Sequence, residues 1–160
     1  MKGTSRLIID FLASQYIQSY LSHFSLVVQQ SLRVHSIESE KQYIEHQLWA
    51  QSRGYTHFYC LIERAAQQVI GAIEIRNPIQ FPGQLYCWLH ESYWGKGYLR
   101  EAMPTVADDY FEKTHNSSFN AHVHHDNQRS YYALKKCGFI DDGMYDGPWG
   151  LQYNMIYKRT

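Results

Sequence analysis

The stretch that most constrains the fold is Trp94-Gly95-Lys96-Gly97-Tyr98-Leu99, which lies between a strand-like run and a helix-like run. Residues 84–90 before it are rich in β-formers, and residues 99–113 after it are rich in helix formers. Two glycines two residues apart allow a tight turn that side chains do not obstruct. A strand, such a turn and a helix N-terminus together aim unpaired N–H groups and the positive end of the helix dipole at one point. The pattern predicts a site for a phosphate or pyrophosphate.

Two common nucleotide motifs do not fit this turn. A P-loop needs Gly-x-x-x-x-Gly-Lys-Ser/Thr, whereas Gly97 is followed by Tyr98 and Leu99. A dinucleotide fingerprint needs a further glycine three residues after the second, and Arg100 stands there. A plain strand-to-helix turn is the alternative interpretation, so the turn has to be weighed with the motifs that follow it.

Two further motifs lie downstream, Asn127-Gln128-Arg129-Ser130 and Leu134-Lys135-Lys136-Cys137-Gly138-Phe139. With Tyr93-Trp94-Gly95-Lys96-Gly97-Tyr98 and Glu101-Ala102, they resemble the GNAT superfamily of acyl-CoA-dependent N-acyltransferases. The nearest likeness is to the branch of ribosomal-protein N-terminal acetyltransferases (RimJ/RimL-like). That branch typically reads Trp-Gly-x-Gly-Tyr followed by Glu-Ala, and later Asn-x-x-Ser ahead of Gly-Phe. The resemblance is good over residues 69–140 and loose over the first sixty.

The resemblance implies one α/β (α+β) domain over residues 1–160, with a mixed central β-sheet flanked by helices. It implies acetyl-CoA as co-substrate and no metal. The pantetheine would lie along the backbone edge at Trp88, Leu89 and His90, and the N–H of Leu89 would donate to the acyl carbonyl. The pyrophosphate would lie on the turn, contacting Trp94, Gly95, Lys96, Gly97, Tyr98 and Leu99.

Two residues of the turn depart from the wider superfamily. Trp94 stands where Gln or Arg is frequent, although tryptophan is usual in the RimJ/RimL-like branch. Leu99 is bulkier than the more frequent Gly or Ala, so it could reshape the loop without removing a backbone donor. The Lys96 side chain could supply charge near the phosphate or could be a solvated loop lysine, and backbone amides dominate such anion sites.

The resemblance also gives roles to the Asn-x-x-Ser motif. Asn127 would hydrogen-bond the amide region of the pantetheine, and Asn is also a good helix cap. Ser130 would approach the sulfur and donate a proton to the leaving thiolate, or it could bond only to its own helix backbone. Many members use a tyrosine four residues before the Gly of Gly-Phe. Leu134 stands there in this chain, so Ser130 is the better candidate for the acid.

Three side chains are candidates for the general base. His90 has a suitable unperturbed pKa and lies next to the expected carbonyl site. Glu74 lies between Ile73 and Ile75 in a strand and should point to the opposite face of the sheet from them. Asp146, before the last strand, is the third candidate, and a chain of water molecules is the alternative to all three.

The predicted reaction is acetyl transfer to a primary amine by direct attack in a ternary complex, without an acyl-enzyme. As the branch implies, the acceptor would be a protein or peptide N-terminus. A small amine such as a polyamine or an amine-bearing antibiotic is an alternative within the same class. A non-catalytic acyl-CoA-binding regulatory module is a rival from another class, because the tyrosine is missing and the base is unassigned. An unrelated α/β binding domain would require the matched motifs to be accidental.

Composition excludes several other classes. Fifteen basic residues balance fifteen acidic ones, so no global field favours nucleic acid or an acidic membrane. Three well-separated cysteines favour free thiols in a reducing compartment, and with no convincing signal peptide or membrane-spanning run we expect a cytoplasmic location. A homodimer is left open. A metal site is disfavoured because the best cluster, around His122, His124, His125 and Asp126, offers an i, i+2 histidine pair without a clear third ligand.

The residue patterns also predict the order of the elements. Pro104 should kink the third helix or open one of its turns. Asn77-Pro78 and Pro82-Gly83 should bracket a loop, and residues 25–35 are ambiguous. Strands are predicted over 5–12, 55–63, 69–76, 84–90, 119–125, 139–145 and 151–158, and helices over 13–24, from Ser36 or Ser39 to near Gly54, over 99–113, and from Asp126 or Asn127 to Lys136.

Overall fold

A computed structural model describes residues 2–77 and 83–160, so the loop expected between Asn77 and Gly83 lies outside the described residues. The helices and strands follow one another along the chain largely in the expected order. The strands are β1 (Lys2–Gly3), β2 (Leu7–Phe11), β3 (Thr56–Glu63), β4 (Gln68–Arg76), β5 (Gly83–Leu89), β6 (Ser118–His124), β7 (Ile140–Gly147) and β8 (Gly150–Lys158). The helices are α1 (Ile17–Ser22), α2 (Leu26–Leu32), α3 (Ile37–Ser52), α4 (Tyr98–Thr114) and α5 (Gln128–Lys136).

The described strands form one mixed sheet in the order β1-β2-β3-β4-β5-β6-β8-β7. Neighbouring strands are antiparallel except β5 and β6, which are parallel and are connected by α4. A parallel pair needs such a long crossover, and α4 supplies it. The predicted α/β fold with a mixed sheet and flanking helices is confirmed.

The parallel pair β5–β6 is joined only at its start. In the described part of the chain its ladder consists of Gly83 opposite Phe119 and Gln84 opposite Asn120. Beyond these pairs the two strands separate, so the sheet opens into a cleft between residues 85–89 of β5 and residues 121–124 of β6. From the last pair of the ladder, the Gln84 Nε2 atom reaches to within 3.0 Å of the His122 Nδ1 atom and bridges the two strands where they begin to separate.

The two faces of the sheet carry separate hydrophobic clusters because strand side chains alternate between faces. One cluster packs α4 and α5 against the sheet and includes Leu85, Val106 and Leu134. The other packs α1, α2 and α3 against the opposite face and includes Tyr20, Phe24, Ile44, Phe58 and Trp88. The cleft is therefore flanked by α4 and α5 on one face and by α1 to α3 on the other.

The helix boundaries follow the capping signals of the sequence. Ser36 caps α3 and forms a reciprocal capping box with Ser39. The ambiguous segment 25–35 contains α2, which is capped by Ser25 and followed by Arg33 in a left-handed conformation. Pro104, predicted to kink this helix or open one of its turns, lies inside α4, which runs without a break from Tyr98 to Thr114. No helix of the described residues is long and apolar enough to cross a membrane.

Two strand details differ from the sequence prediction. The short strand β1 at Lys2–Gly3 was not predicted, since two residues carry no period-2 pattern. The hairpin β7–β8 is tighter than expected, because β7 extends to Gly147 and β8 starts at Gly150. Asp146, predicted to lie in the loop before the last strand, is therefore an exposed residue of β7.

Candidate active site

The backbone of β5 supplies hydrogen-bond donors to the cleft at alternate residues. The N–H of His90 donates to the carbonyl of Ile70 in β4 at 2.9 Å. Because successive peptide groups in a strand point to opposite sides, the N–H groups of Leu89 and Cys87 point into the cleft. On the same side, the Leu89 carbonyl accepts a hydrogen bond from the Trp94 indole at 2.9 Å.

The three residues expected to line the pantetheine contribute differently to this edge. Leu89 faces the cleft with its backbone. Trp88 pairs with Ala72 of β4 and does not face the cleft. Its side chain is buried in the cluster beneath α1 to α3, where the indole donates to the hydroxyl of Tyr20 at 3.0 Å. Cys87, which the sequence analysis did not select, presents its backbone beside Leu89. The i, i+2 alternation of β5 was the signal that could have identified it.

The turn after β5 has the backbone conformation that its glycines suggest. A 3-10 turn at Glu91–Tyr93 follows the strand, and Gly95 and Gly97 then adopt φ values of 71° and 80°. An added Cβ would have no neighbour within 4 Å at Gly95 and only Arg6 Nη2, at 3.7 Å, at Gly97. The backbone conformation, more than lack of space, requires glycine at both positions.

Unpaired donors gather at this turn and at the start of α4. The first intrahelical bond of α4 runs from Glu101 N–H to the Gly97 carbonyl at 2.9 Å. Within residues 2–77 and 83–160, no protein acceptor is found for the N–H groups of Gly95, Lys96 and Gly97. With the positive end of the α4 dipole behind them, these groups are suited to hold a pyrophosphate.

The side chains of the turn point mostly away from this anion site. Leu99 is half-buried against the α4–α5 cluster, so its bulk is accommodated in the core. Tyr98 is buried, stacks edge-on against Tyr93, and donates to Glu63 at 3.3 Å. The Lys96 side chain is exposed. The backbone of the turn, more than its side chains, is therefore available to a ligand.

The N-terminus of α5 lies on the other side of the cleft and contacts the turn. The Arg129 guanidinium stacks on the Trp94 ring with its Cζ 3.4 Å from the ring centroid. This contact joins the Asn127–Ser130 motif to the turn across the open end of the cleft. Sequence reasoning assigned no role to Arg129, because a contact between two distant motifs has no local pattern.

Asn127 and Ser130 are connected through the cap of α5. The Asn127 Oδ1 accepts a hydrogen bond from the Ser130 N–H at 3.3 Å, so Asn127 does cap the helix. In the part of the chain that the structure describes, the Ser130 hydroxyl has no protein partner. It is half-buried in the first turn of α5 and is free to contact a ligand. Leu134, at the position where the resemblance implies a tyrosine, is buried in the core.

His90 is held at the end of β5 by two contacts. Its Nδ1 accepts the N–H of Ser92 at 3.1 Å, and its Nε2 lies 3.6 Å from Glu91 Oε1. Since Nδ1 accepts, a neutral His90 ring carries its proton on Nε2. The ring must release the Ser92 N–H before it can accept a proton. Catalytic contacts are often reorganised when substrate binds, and His90 stays a predicted candidate for the base.

Glu74 lies on the α3 side of the sheet, opposite Ile73 and Ile75 as expected, and is 3% exposed. Its Oε1 accepts from Thr56 Oγ1 at 2.8 Å and its Oε2 from Tyr43 at 2.5 Å. The Arg76 Nε lies 3.5 Å from the same Oε2 atom. A carboxylate with both oxygens engaged in this way has to break a buried network before it can accept a proton.

A second histidine–carboxylate pair lies at the end of β6. His124 Nδ1 and Asp126 Oδ1 are 2.5 Å apart. Because a carboxylate only accepts, Nδ1 carries the proton in this bond, and a neutral His124 has its lone pair on Nε2. This tautomer makes His124 a further candidate for the base. In the sequence His124 stood out only as a possible metal ligand, and no metal-binding cluster of three or more side chains is found among the described residues.

Helix α2 crosses the open end of the cleft on the face opposite α4 and α5. At its start, Ser25 donates to Glu91 Oε2 at 2.5 Å, next to the end of β5. After its end, the Arg33 guanidinium lies 6.0 Å from the Trp149 ring in the β7–β8 turn. Leu26 and Trp149 are both exposed on this rim. Helix α2 therefore reaches from the end of β5 to the β7–β8 turn, and an exposed apolar rim lies along it.

Comparison with known proteins decides the family. The family model described as "Acetyltransferase (GNAT) domain" matches residues 6–140. The chain belongs to this family. By family it is an acyl-CoA-dependent N-acetyltransferase with acetyl-CoA as co-substrate. Among curated proteins, none matches the sequence significantly.

Solved structures confirm the fold at low sequence identity. The Salmonella typhimurium acetyltransferase that modifies the N-terminal serine of ribosomal protein L7/L12 is 18% identical, with coverage of 98% and 97% of the two chains and a TM-score of 0.84. The Vibrio fischeri ribosomal-protein-S5-alanine acetyltransferase is 17% identical, with coverage of 98% and 95% and a TM-score of 0.79. The Vibrio cholerae spermidine N-acetyltransferase in complex with CoA and spermine is 15% identical, with coverage of 97% and 96% and a TM-score of 0.75.

Proposed function

We propose that this acetyltransferase acetylates the N-terminal amine of a protein or peptide by direct attack on acetyl-CoA. The observation that carries the catalytic part is the cleft itself. Donors at Leu89 and Cys87 point into it, and free N–H groups at Gly95–Gly97 lie at one end. A thioester is already activated, so orientation and polarisation of its carbonyl are the main tasks left to the protein.

The exposed rim along α2 and the β7–β8 turn supports a peptide acceptor. It carries apolar and aromatic groups, Leu26 and Trp149. The carboxylate nearest the end of β5, Glu91, is engaged by Ser25 and faces His90. A polycation would favour several free carboxylates at this place, whereas an apolar rim suits the first side chains of a peptide. The motif likeness to the RimJ/RimL-like branch and the similarity to two ribosomal-protein acetyltransferases also support this acceptor.

In this proposal, Ser130 returns a proton to the departing thiolate, because its hydroxyl is unengaged by protein in the described residues and lies in the first turn of α5. The base removes a proton from the ammonium form of the amine before or during attack. His90, Glu74, Asp146 and a water chain are the predicted alternatives, and the tautomer of His124 adds a fifth. We also propose that the protein works in a reducing compartment, which its three free thiols support.

The test is a panel of acceptors incubated with acetyl-CoA, with product mass and released thiol as readouts. Peptides that begin with Ala or Ser are compared with the same peptides blocked at the N-terminus, with spermine, and with an aminoglycoside. Acetylation of the free N-terminus alone supports the proposal. Acetylation of spermine or the aminoglycoside in preference to peptides would replace the proposed acceptor by a small amine.

A matched variant tests whether CoA binding and acetylation both depend on the turn, and the acceptor panel separates the enzyme from a non-catalytic module. Gly97→Glu places a bulky anion on the free N–H groups and should abolish both binding of CoA and acetylation. If the native protein binds acetyl-CoA but acetylates no amine across a broad panel, the chain is a binding module and the proposed reaction is wrong.

A further inference from the structure

Arg6, which precedes β2, connects the N-terminal segment to the glycine turn. Its Nη1 donates to the carbonyl of Lys96 at 3.0 Å, and its Nε donates to Glu101 Oε2 at 2.6 Å. Its guanidinium also covers the Tyr98 ring, with Cζ 4.0 Å from the ring centroid. One side chain therefore bridges the turn and the first helical turn of α4.

Glu101 holds this arginine from a rigid helix. Its Oε1 accepts the backbone N–H of Arg6 at 2.9 Å and the hydroxyl of Thr4, and Ser5 Oγ lies 3.3 Å away. Desolvation opposes ionisation of Glu101, but the hydrogen bonds from Thr4 and Arg6 outweigh it and lower its pKa to about 2. The carboxylate is therefore charged at neutral pH, and it holds Arg6 by its backbone N–H and by its side-chain Nε.

The contact with Lys96 fixes the orientation of one peptide group. In a trans peptide the carbonyl and the next N–H point in opposite directions. Since Arg6 holds the Lys96 carbonyl, the N–H of Gly97 must point away from Arg6. Lys96 has a glycine on each side and Gly97 lies in the left-handed region, so the Lys96–Gly97 peptide has few other restraints.

We propose that Arg6 and Glu101 are positioning residues that keep the Gly97 N–H directed at the pyrophosphate of acetyl-CoA. The proposal rests on the family's use of acetyl-CoA and goes beyond it by naming what orients the anion site. Arg6 does not need to touch the ligand, since it binds the opposite side of the peptide group. Without it, the peptide is free to rotate and one donor to the pyrophosphate is lost.

A second ion pair on the same helix provides a matched control. Lys2 Nζ lies 3.1 Å from Asp109 Oδ1, so it also ties the N-terminal segment to α4. The Lys2 and Arg6 side chains are similarly exposed, at 43% and 40%. Lys2 makes no contact with the turn among the described residues. A purely structural role would make the two pairs equivalent.

The experiment compares wild type, Arg6→Lys and Lys2→Met in calorimetric titrations with CoA and with pantetheine, which lacks the diphosphate. Lysine keeps the charge at position 6 but lacks the planar fork with which arginine bonds Glu101 through Nε and the Lys96 carbonyl through Nη1. We expect Arg6→Lys to weaken CoA binding by about 10- to 100-fold, the usual effect of losing a hydrogen bond to a charged group. Binding of pantetheine should be unchanged, and Lys2→Met should bind both probes like wild type.

A spectroscopic readout follows the peptide group itself. In protein labelled with ¹⁵N-glycine, the NMR resonance of the Gly97 amide should shift on addition of CoA in the wild type. The same resonance should not shift in Arg6→Lys. Glu101→Gln is the second variant if Arg6→Lys does not fold, and it should shift CoA affinity in the same direction.

Two results would overturn the positioning role while leaving the proposed function intact. One is wild-type CoA affinity in folded Arg6→Lys. The other is an equal loss of affinity in Arg6→Lys and Lys2→Met. Failure of the wild-type protein to bind CoA is a different result, and it would remove the proposed function together with this inference.

Discussion

Replacing Gly97 with alanine tests the backbone requirement of the turn. Gly97 has a φ of 80°, and an added Cβ would meet only Arg6 Nη2, at 3.7 Å. The methyl group has room, so the cost comes from the backbone and is about 1–2 kcal/mol for an L-residue held in this region. In a domain of this size, such a loss lowers Tm by roughly 2–8 °C.

The same substitution should also weaken CoA binding. Alanine favours negative φ, and relaxation to such a conformation turns the peptide groups that flank Gly97. The N–H groups then no longer converge on one point, and we expect the Kd for CoA to rise about tenfold or more. Calorimetric titration measures this effect, and thermal unfolding of the same samples measures the strain.

Gly54→Ala is the matched control for this prediction. Gly54 has a φ of 75° and no atom within 4 Å of its added Cβ, and it follows α3, away from the cleft. It should lose a similar amount of thermal stability and bind CoA like wild type. If Gly97→Ala also kept wild-type affinity for CoA, the argument that the turn's N–H groups bind the pyrophosphate would be refuted.

Three further predictions concern side chains. Ser130→Ala should lower kcat more than it weakens CoA binding. An unchanged kcat would mean that Ser130 is not the acid and has only a structural role in the first turn of α5. His90→Gln should shift the pH–rate profile if His90 is the base, whereas an unmoved profile points to another group or to water. The pKa of Glu101 is lowered from 4.5 to about 2, so its stabilising contribution is complete above the unfolded value and is lost as pH falls towards the folded one. Glu101→Gln should therefore flatten the acid side of the stability–pH curve in urea titrations, and an unchanged slope would contradict the Arg6–Glu101 geometry.

Much of the fold could be predicted because its signals are local. The turn at Gly95 and Gly97, the cap at Asn127 and the alternation of β5 are all properties of neighbouring residues. They define a strand, a turn and a helix, which is the kind of connection that a parallel pair of strands needs. Segments without a strong local pattern were harder to predict from the sequence, and α2 within the ambiguous residues 25–35 is the clearest case.

The candidate site was predictable only in its backbone part. The side-chain environments depend on contacts between residues far apart in the chain, which no local pattern encodes. Glu74 is held by Tyr43 and Thr56 from other elements, and Arg6 reaches the turn from the opposite end of the sequence. The motif Glu101-Ala102 marked a residue of interest, but only the structure shows which arginine it holds.

The most direct test of the account is a calorimetric titration of the purified protein with acetyl-CoA, beside CoA without the acetyl group. The cleft at Leu89 and the turn at Gly97 predict micromolar binding of both, because the two ligands share the pantetheine and the pyrophosphate. Absence of binding to either ligand by the folded protein would mean that the glycine turn is only a turn, and would contradict the assignment of the cleft as an active site.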